Sequence, residues 1–403
     1  MGSWRVRARR AVAFGLVAVG TMVTVTTPAE ADALEFPTTG RVFREWTAAW
    51  MGPKEAVTAA EAVAAAKKFD VIASHPAMLR AHVGAMRAAN PKLRLLAYVN
   101  ATWSDPGTYP DAWYARDRAG AKVLWLPYGT HLMDISRAEW RAEVLRLCHD
   151  ASATAAFDGC LLDNLGVSPV AYAADKSGLA VDPRTGVEWT AADWLNRTAA
   201  IATTTATGAV GMLVTGNGLG NAKRYWDPLA PTSILADRLD GSMPEQFVRA
   251  PTQEATAFKT ETEWRQEVDM VVDAQRRGTA VMAMTKVWVD ATNAQRNALH
   301  RFALSSFLLA SNGKSYFSFL RDESPNAPFD SHPYHDIKIG WPLAKYAKIG
   351  GVYRRDFQRG IVLANPTDAT VTVVLGGSYR DLSGVVRTKA TLAPNQGNVY
   401  TAT

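Results

Sequence analysis

The sequence lacks the signatures that most readily announce a function. No GxGxxG follows a strand-like run, so a dinucleotide-binding sheet is unsupported. Gly216-Asn-Gly-Leu-Gly220 is Gly-rich at the wrong spacing, with no phosphate-binding Lys or Ser after it. His75, His131, His332 and His335 show no HExxH or other metal spacing, and neither a metal nor another cofactor is expected. The missing G-x-S-x-G elbow argues against a Ser-His-Asp hydrolase. Lys and Arg form no run and the net charge of +6 is mild, so nucleic acid is not an expected partner. Cysteine is confined to Cys148 and Cys160. An even count in an exported chain invites a disulfide. Cys148 falls on a predicted helix and Cys160 on the next strand, however. Barrel helices usually pack too far from strands to be bridged, so two buried thiols are expected.

What is present begins with an export signal. Arg5, Arg7, Arg9 and Arg10 precede an apolar stretch over 11–25, and Ala29-Glu30-Ala31 and Ala31-Asp32-Ala33 offer small-x-small cleavage sites. The stretch is too short for a comfortable membrane span, and no Cys follows it to take a lipid. The mature chain is therefore expected without an integral membrane segment, secreted or associated with the cell wall. Arg9-Arg10 fits a twin-arginine pattern only weakly. Loss of residues 1–33 removes four Arg and two acids, lowering +6 to +4, a balance compatible with an anionic wall polymer. Thirteen Trp and twelve Tyr supply flat amphipathic rings that suit sugar faces as well as cores.

Strand-like and helix-like segments then alternate with short connections, the pattern of a parallel βα architecture. Strands are predicted over 41–46, 69–75, 92–100, 157–163, 211–217, 234–242, 279–287 and 313–319. Thr58-Ala-Ala-Glu61, Ser136-Arg-Ala-Glu139, Thr190-Ala-Ala-Asp193 and Thr260-Glu-Thr-Glu263 each open a helix, and 77–89 and 292–310 are two more. Eight such units over about 285 residues match a (β/α)8 TIM barrel, assigned to residues 34–345 behind a signal over 1–33. Two long connections interrupt it. One covers 101–134 and holds Trp103, Tyr109, Trp113, Tyr114, Trp125 and Tyr128; the other covers 166–189. Ordinary βα loops run ~2–6 residues, so connections this long are usually functional. From about Gly350, β-rich runs are punctuated by Asn365-Pro366, Gly376-Gly377 and Pro394-Asn395, which predicts a small antiparallel β domain over 346–403. Its few aromatics suggest bracing of the barrel rather than sugar binding. A monomer is expected.

The chain is organised around Phe157-Asp158-Gly159-Cys160-Leu161-Leu162-Asp163-Asn164-Leu165-Gly166. Its apolar run reads as a strand covered on both faces, stopping on Asp163 and Asn164, with Gly166 permitting a sharp departure. An ionised carboxylate is costly in a core, so Asp163 belongs at the C-terminal mouth, where barrels build their chemistry. A lone Asp there could also merely cap a turn. Glu245 follows the sixth strand in a turn with Pro244, and Glu45 ends the first beside Trp46. Cleavage of a glycosidic bond needs two carboxylates with separated pKa values. One protonates the leaving oxygen while the other attacks the anomeric carbon or activates a water. Strands four and six lie on one side of an eight-stranded ring, so Asp163 and Glu245 can face each other across a cleft. Glu245 could equally be a plain solvent-facing acid. Asp240 is its rival, although Asp-Gly commonly makes a turn. Asp134 sits just before a helix, where a helix-start role serves as well. Tyr98, Asn100, Asn164, Asn217 and Lys286 fall near strand ends, where they could bind hydroxyls. Trp46, Trp103 and Tyr98 could form stacking platforms.

FDGCLLDN over 157–164, the Tyr98-Val-Asn100 strand end, Gly313-Lys-Ser-Tyr-Phe-Ser-Phe319 and Phe357-Gln-Arg-Gly-Ile-Val-Leu-Ala-Asn-Pro366 together resemble a bacterial group, the hypothetical glycosyl-hydrolase-like family 15. More broadly the chain is similar to barrel enzymes related to α-amylases and α-galactosidases. The resemblance covers nearly the whole mature chain. It implies a TIM barrel with an amylase-like C-terminal β domain and hydrolysis of a poly- or oligosaccharide. In the related barrels the strand-four acid is the nucleophile, which carries over onto Asp163. The acid/base lies after strand five or six there, which carries over onto Glu245 and makes the pair a retaining one. The alternative is a non-catalytic barrel that binds wall glycans through the same aromatic loops. A lyase or deacetylase would want a metal or a His/Tyr constellation that the sequence does not offer.

Overall fold

Side chains alternate between two faces along a strand, and in this chain one parity is apolar enough to fill a barrel while the other packs under helices. The computed structural model describes residues 44–51, 56–171, 174–322, 334 and 337–403. Eight parallel strands pair in chain order: β1 (Trp46–Ala48), β2 (Val71–Ser74), β3 (Arg94–Asn100), β4 (Gly159–Asp163), β5 (Leu213–Asn217), β6 (Gly241–Met243), β7 (Ala280–Lys286) and β8 (Tyr316–Leu320). Glu45 bridges Phe317 in parallel, and the Phe317 N–H donates to the Arg44 carbonyl at 2.9 Å, which returns β8 to β1. The architecture is a TIM barrel. Trp46, Val71, Ala73, Leu96, Leu161, Leu213, Met243, Met282, Met284 and Tyr316 belong to one buried cluster that fills its interior.

The helices longer than four residues are α1 (Ala59–Lys68), α2 (Val83–Ala89), α3 (Ala138–Ala155), α4 (Ala191–Gly208), α5 (Glu261–Arg277) and α6 (Asn293–Ala310). Thr58 and Thr260 form the expected capping boxes with Glu61 and Glu263, and Thr190 accepts from the Asp193 N–H. Ser136 does not cap α3. Arg137 holds the N-cap position, and the Ser136 hydroxyl donates to Asp134 instead. The predicted helix over 77–89 is divided into Pro76–Leu79 and α2. The strand predicted over 234–242 shrinks to β6, because Thr232–Asp237 is a 3-10 turn whose Leu235 and Ala236 are buried. A short apolar run has no period to separate the two outcomes.

The expected free thiols are corrected by the structure: Cys148 and Cys160 are joined in a disulfide. Ala151 and Ala155 share the buried face of α3 with Cys148. Those small side chains let the helix lie against β4 with a Cα–Cα distance of 5.6 Å, within bridging range.

A six-stranded antiparallel sheet follows: β9 (Ala347–Ile349), β10 (Val352–Phe357), β11 (Gly360–Asn365), β12 (Val371–Asp381), β13 (Val386–Leu392) and β14 (Gln396–Ala402), in the order β9-β10-β11-β14-β12-β13. It docks on α6. A Cβ at Gly397 would meet the Ser305 Cβ at 2.7 Å, so only glycine allows that approach. Arg355 donates to the carbonyls of Leu308, Leu309 and Ser311 at 3.1, 2.9 and 2.7 Å, satisfying the end of α6. No described helix is long and apolar enough to cross a membrane. The expected signal over 1–33, the start of the first predicted strand, His332 and His335 lie outside the described residues.

Candidate active site

The inward parity that fills the barrel also delivers its polar mouth. The column of Leu96 ends in Tyr98 and Asn100, that of Leu161 in Asp163, that of Leu213 in Asn217, and that of Met284 in Lys286. Each is the C-terminal end of a strand. Glu245 comes from the turn after β6, which is stitched to β7: the Met284 N–H donates to the Pro244 carbonyl and the Phe247 N–H to the Met284 carbonyl, both at 3.1 Å.

These groups form one network. Asn217 Nδ2 donates to Asp163 Oδ1 at 2.8 Å and to Glu245 Oε2 at 2.7 Å. A single nitrogen reaching both carboxylates limits their nearest oxygens to a separation of about 5.5 Å. Asp163 Oδ1 also accepts from the Asn164 N–H at 2.9 Å. Its Oδ2 accepts from the Tyr98 hydroxyl at 2.7 Å and from Asn164 Nδ2 at 2.9 Å. Lys286 pairs with the other oxygen of Glu245 and lies 4.3 Å from the Trp288 ring centroid. The Glu245 side chain remains 34% exposed, open to a ligand.

Electrostatics set the two acids apart. Burial and the charge of Glu245 push the Asp163 carboxyl up, against the pull of Tyr98, Asn217 and the Asn164 N–H. Burial would raise Glu245 as well, but the Lys286 ammonium and Asn217 outweigh it and hold Glu245 below its ordinary value. Burial and Asp163 push the Tyr98 phenol far up, which keeps it a hydrogen-bond donor.

Asn164 turns the chain out of β4 with φ at +63°, a conformation that Asn tolerates better than most residues. The departure expected of Gly166 is thus made two residues earlier. Gly166 serves a close approach, since a Cβ there would meet the Gly218 carbonyl oxygen at 2.6 Å. Asn100 spends its side-chain oxygen on the N–H groups of Thr102 and Trp103, and its amide donates to Tyr98 at 3.4 Å.

Five predicted site residues lie elsewhere. Glu45 and Trp46 open β1 rather than end it, so they sit at the opposite end from the carboxylates. Trp46 fills the barrel, donating its indole N–H to the Ala283 carbonyl at 3.1 Å. Asp240 precedes β6, where its carboxylate accepts from the Val214 N–H at 2.9 Å. Asp158 before β4 does the same for Leu95 at 2.8 Å, and the Ser315 hydroxyl before β8 for Val281 at 3.0 Å. All three fasten the foot of the preceding strand. Asp134 is a helix-start residue, accepting from Ser136 and pairing with Arg137 at 3.3 Å. Trp103 is buried against Trp125, with centroids 5.1 Å apart, and offers no free face. The exposed ring of that stack is Tyr128, 4.5 Å beyond Trp125 and 68% exposed.

The two long connections act as one unit: the Leu126 N–H donates to the Asp175 carbonyl at 2.9 Å and the Ser177 N–H to Leu124 at 3.0 Å. Trp288 escaped the sequence reading. Its signal is position, two residues past Lys286 and therefore on the same side of an extended chain. Its indole N–H has no hydrogen-bond partner among the described residues. No described group of three His, Cys, Asp or Glu is placed to hold a metal.

The family model described as hypothetical glycosyl hydrolase family 15 matches residues 87–361. No curated protein matches the chain in sequence. Among solved structures, Amy13B of Eubacterium rectale is similar at a TM-score of 0.54 and 9% identity, over 91% of this chain and 96% of that one. An α-amylase from Malbranchea cinnamomea gives 0.51 and 11%, over 89% and 96%. Ega3 of Aspergillus fumigatus, in complex with galactosamine, gives 0.45 and 14%, over 72% and 95%. At such identities the likeness concerns the fold alone.

Proposed function

The chain belongs to hypothetical glycosyl hydrolase family 15, and from that premise we propose that it is an exported glycoside hydrolase with Asp163 as nucleophile and Glu245 as general acid/base. The observation that carries the proposal is the Asn217 amide shared between the two carboxylates at the barrel mouth. A limit of about 5.5 Å between their oxygens supports the retaining geometry of ~5–5.5 Å over the inverting one of ~6.5–9.5 Å.

In that mechanism an Asp163 oxygen bonds to the anomeric carbon as the glycosidic C–O bond breaks, and Glu245 gives its proton to the departing oxygen. Glu245 then takes a proton from water, whose oxygen displaces Asp163 and releases the sugar. All four contacts at Asp163 come from donors, which favour the ionised nucleophile against the burial and the Glu245 charge that push its carboxyl up. Glu245 has the opposite requirement. To carry a proton it must lose the hold of Lys286, and a sugar hydroxyl is a suitable replacement acceptor for that ammonium. The Trp288 ring, 4.3 Å from the Lys286 ammonium that holds Glu245, is the candidate for positioning the sugar. Export is supported by the Cys148–Cys160 disulfide, which belongs in an oxidising compartment.

The test is hydrolysis of a panel of α- and β-linked glycans by the mature protein beside Asp163→Asn. Turnover of at least one glycan is expected, falling by about 10³-fold or more in the variant, with the same Tm. Equal turnover in both proteins overturns the role of Asp163. Binding without turnover in both would make the barrel a glycan-binding module.

A further inference from the structure

The C-terminal sheet and α6 border an open cavity of about 290 Å³, lined by none of the residues of the carboxylate site. Arg301 comes to it from α6, Asp381 from the end of β12, Arg387 and Lys389 from β13, and Asn398 and Tyr400 from β14. Arg387 and Lys389 are two residues apart on an extended strand and so lie on the same side of it.

The charges in this lining do not balance. Asp381 is its one carboxylate, and it is committed. It accepts from the N–H groups of Ser383 and Val385 at 2.9 and 3.0 Å and from Arg387 Nε at 3.1 Å. Arg301 and Lys389 have no ion pair or side-chain hydrogen bond among the described residues. Three cations therefore converge against one engaged anion. An apo protein bears that repulsion through solvent, whereas a bound oxyanion removes it through charge-assisted hydrogen bonds. The Asn398 amide and Tyr400 hydroxyl add neutral polar groups of the kind that meet sugar hydroxyls.

We propose that this cavity is a second glycan site, selective for a sugar unit that bears an oxyanion, either a carboxylate or a phosphate ester. Arg301 and Lys389 pair with the anion, Arg387 is held in place by Asp381, and Asn398 and Tyr400 meet the hydroxyls. Charge replaces aromatic stacking here, which is why a domain poor in aromatics read as a mere brace. The site uses neither Asp163 nor Glu245, so it stands whether or not the barrel cleaves its ligand. Its occupant would tether the protein to an anionic polymer while the barrel mouth stays free.

The experiment is calorimetric titration of the mature Asp163→Asn protein with three probes: an oligogalacturonate, a glycerol-phosphate oligomer and neutral maltoheptaose. At least one anionic probe is expected to bind, more weakly as salt rises, while maltoheptaose does not compete for that site. Binding of the uronate identifies a carboxylated glycan, and binding of the phosphate oligomer a phosphorylated one. Arg301→Gln with Lys389→Gln should cost at least tenfold in affinity. These two side chains have no ion pair or side-chain hydrogen bond to lose among the described residues, and turnover of a small neutral substrate by the otherwise native enzyme should not change. Lys389→Glu alone is the second variant and should produce the same loss. Failure of both anionic probes to bind, or undiminished binding in both variants, overturns the proposal.

Discussion

Asp163 and Glu245 are both acids at a barrel mouth, and what separates them is the company each keeps. Asp163 meets four donors, whereas Glu245 meets one amide and one ammonium. Lys286 is thus the control on the pair. In Lys286→Met the pull on Glu245 disappears, and burial together with the nearby Asp163 charge moves its pKa upward. If Glu245 must be protonated to act, the descending alkaline limb of kcat/KM should move to higher pH, as measured by initial rates across a pH series. Movement of the ascending acid limb instead would exchange the two roles. Stability follows the same signs. Glu245, held low, favours the folded state above its unfolded pKa, and this is lost as pH falls through the folded value. Asp163, pushed up, contributes below its unfolded pKa and loses that contribution as pH rises through the folded one. Tyr98, Asn100, Asn164, Asn217 and Lys286 were legible in the sequence because strand ends and parity are local properties. Their partners were not, because a contact such as that between Asn217 and Glu245 depends on a turn pinned to β7.

At the scale of the element, β4 carries the proposed nucleophile at its end and Cys160 three residues before it. The disulfide to α3 anchors that strand from the helical layer. Cys148→Ser with Cys160→Ser should lower stability by ~2–4 kcal/mol. Thermal unfolding with and without reductant checks this: the native protein should lose Tm on reduction, and the double variant should not respond. Two titratable thiols in the unreduced, denatured native protein would remove the bond from consideration. Helix ends were the most readable elements, since a cap is decided within four residues, as Thr58 and Thr260 show. The stretch after β5 was the least readable, because its apolar residues serve a 3-10 turn buried under the sheet rather than a strand.

For the whole molecule, the C-terminal sheet is joined to the barrel chiefly through α6. Arg355 is a joint in that contact, closing the C-terminus of α6 from β10, and its burial brings the guanidinium down to about 10, still charged at neutral pH. Arg355→Met leaves three carbonyls without this donor and should cost about 3 kcal/mol, read as a lower midpoint in urea unfolding. Because none of its contacts is to the carboxylate network, kcat below the transition should be preserved. An unchanged midpoint would mean that packing at Gly397 and Ser305 carries the contact alone.

The barrel, the antiparallel sheet after it and the placement of Asp163 at a strand mouth are all legible in the amino-acid sequence. Each of these follows from short-range periodicity and from the cost of burying a charge. Which end of a strand an acid occupies, by contrast, is set by tertiary register. A boundary misplaced by a few residues left Glu45, Trp46 and Asp240 predicted at the mouth, while strand register puts them at the foot. Tertiary structure also decided the disulfide, since the spacing between a helix and a strand depends on the small side chains that line their contact. Above all it decided the pairing of Asp163 with Glu245, separated in the chain by β5 and β6 and brought to one amide because β5, which carries Asn217, pairs with both β4 and β6.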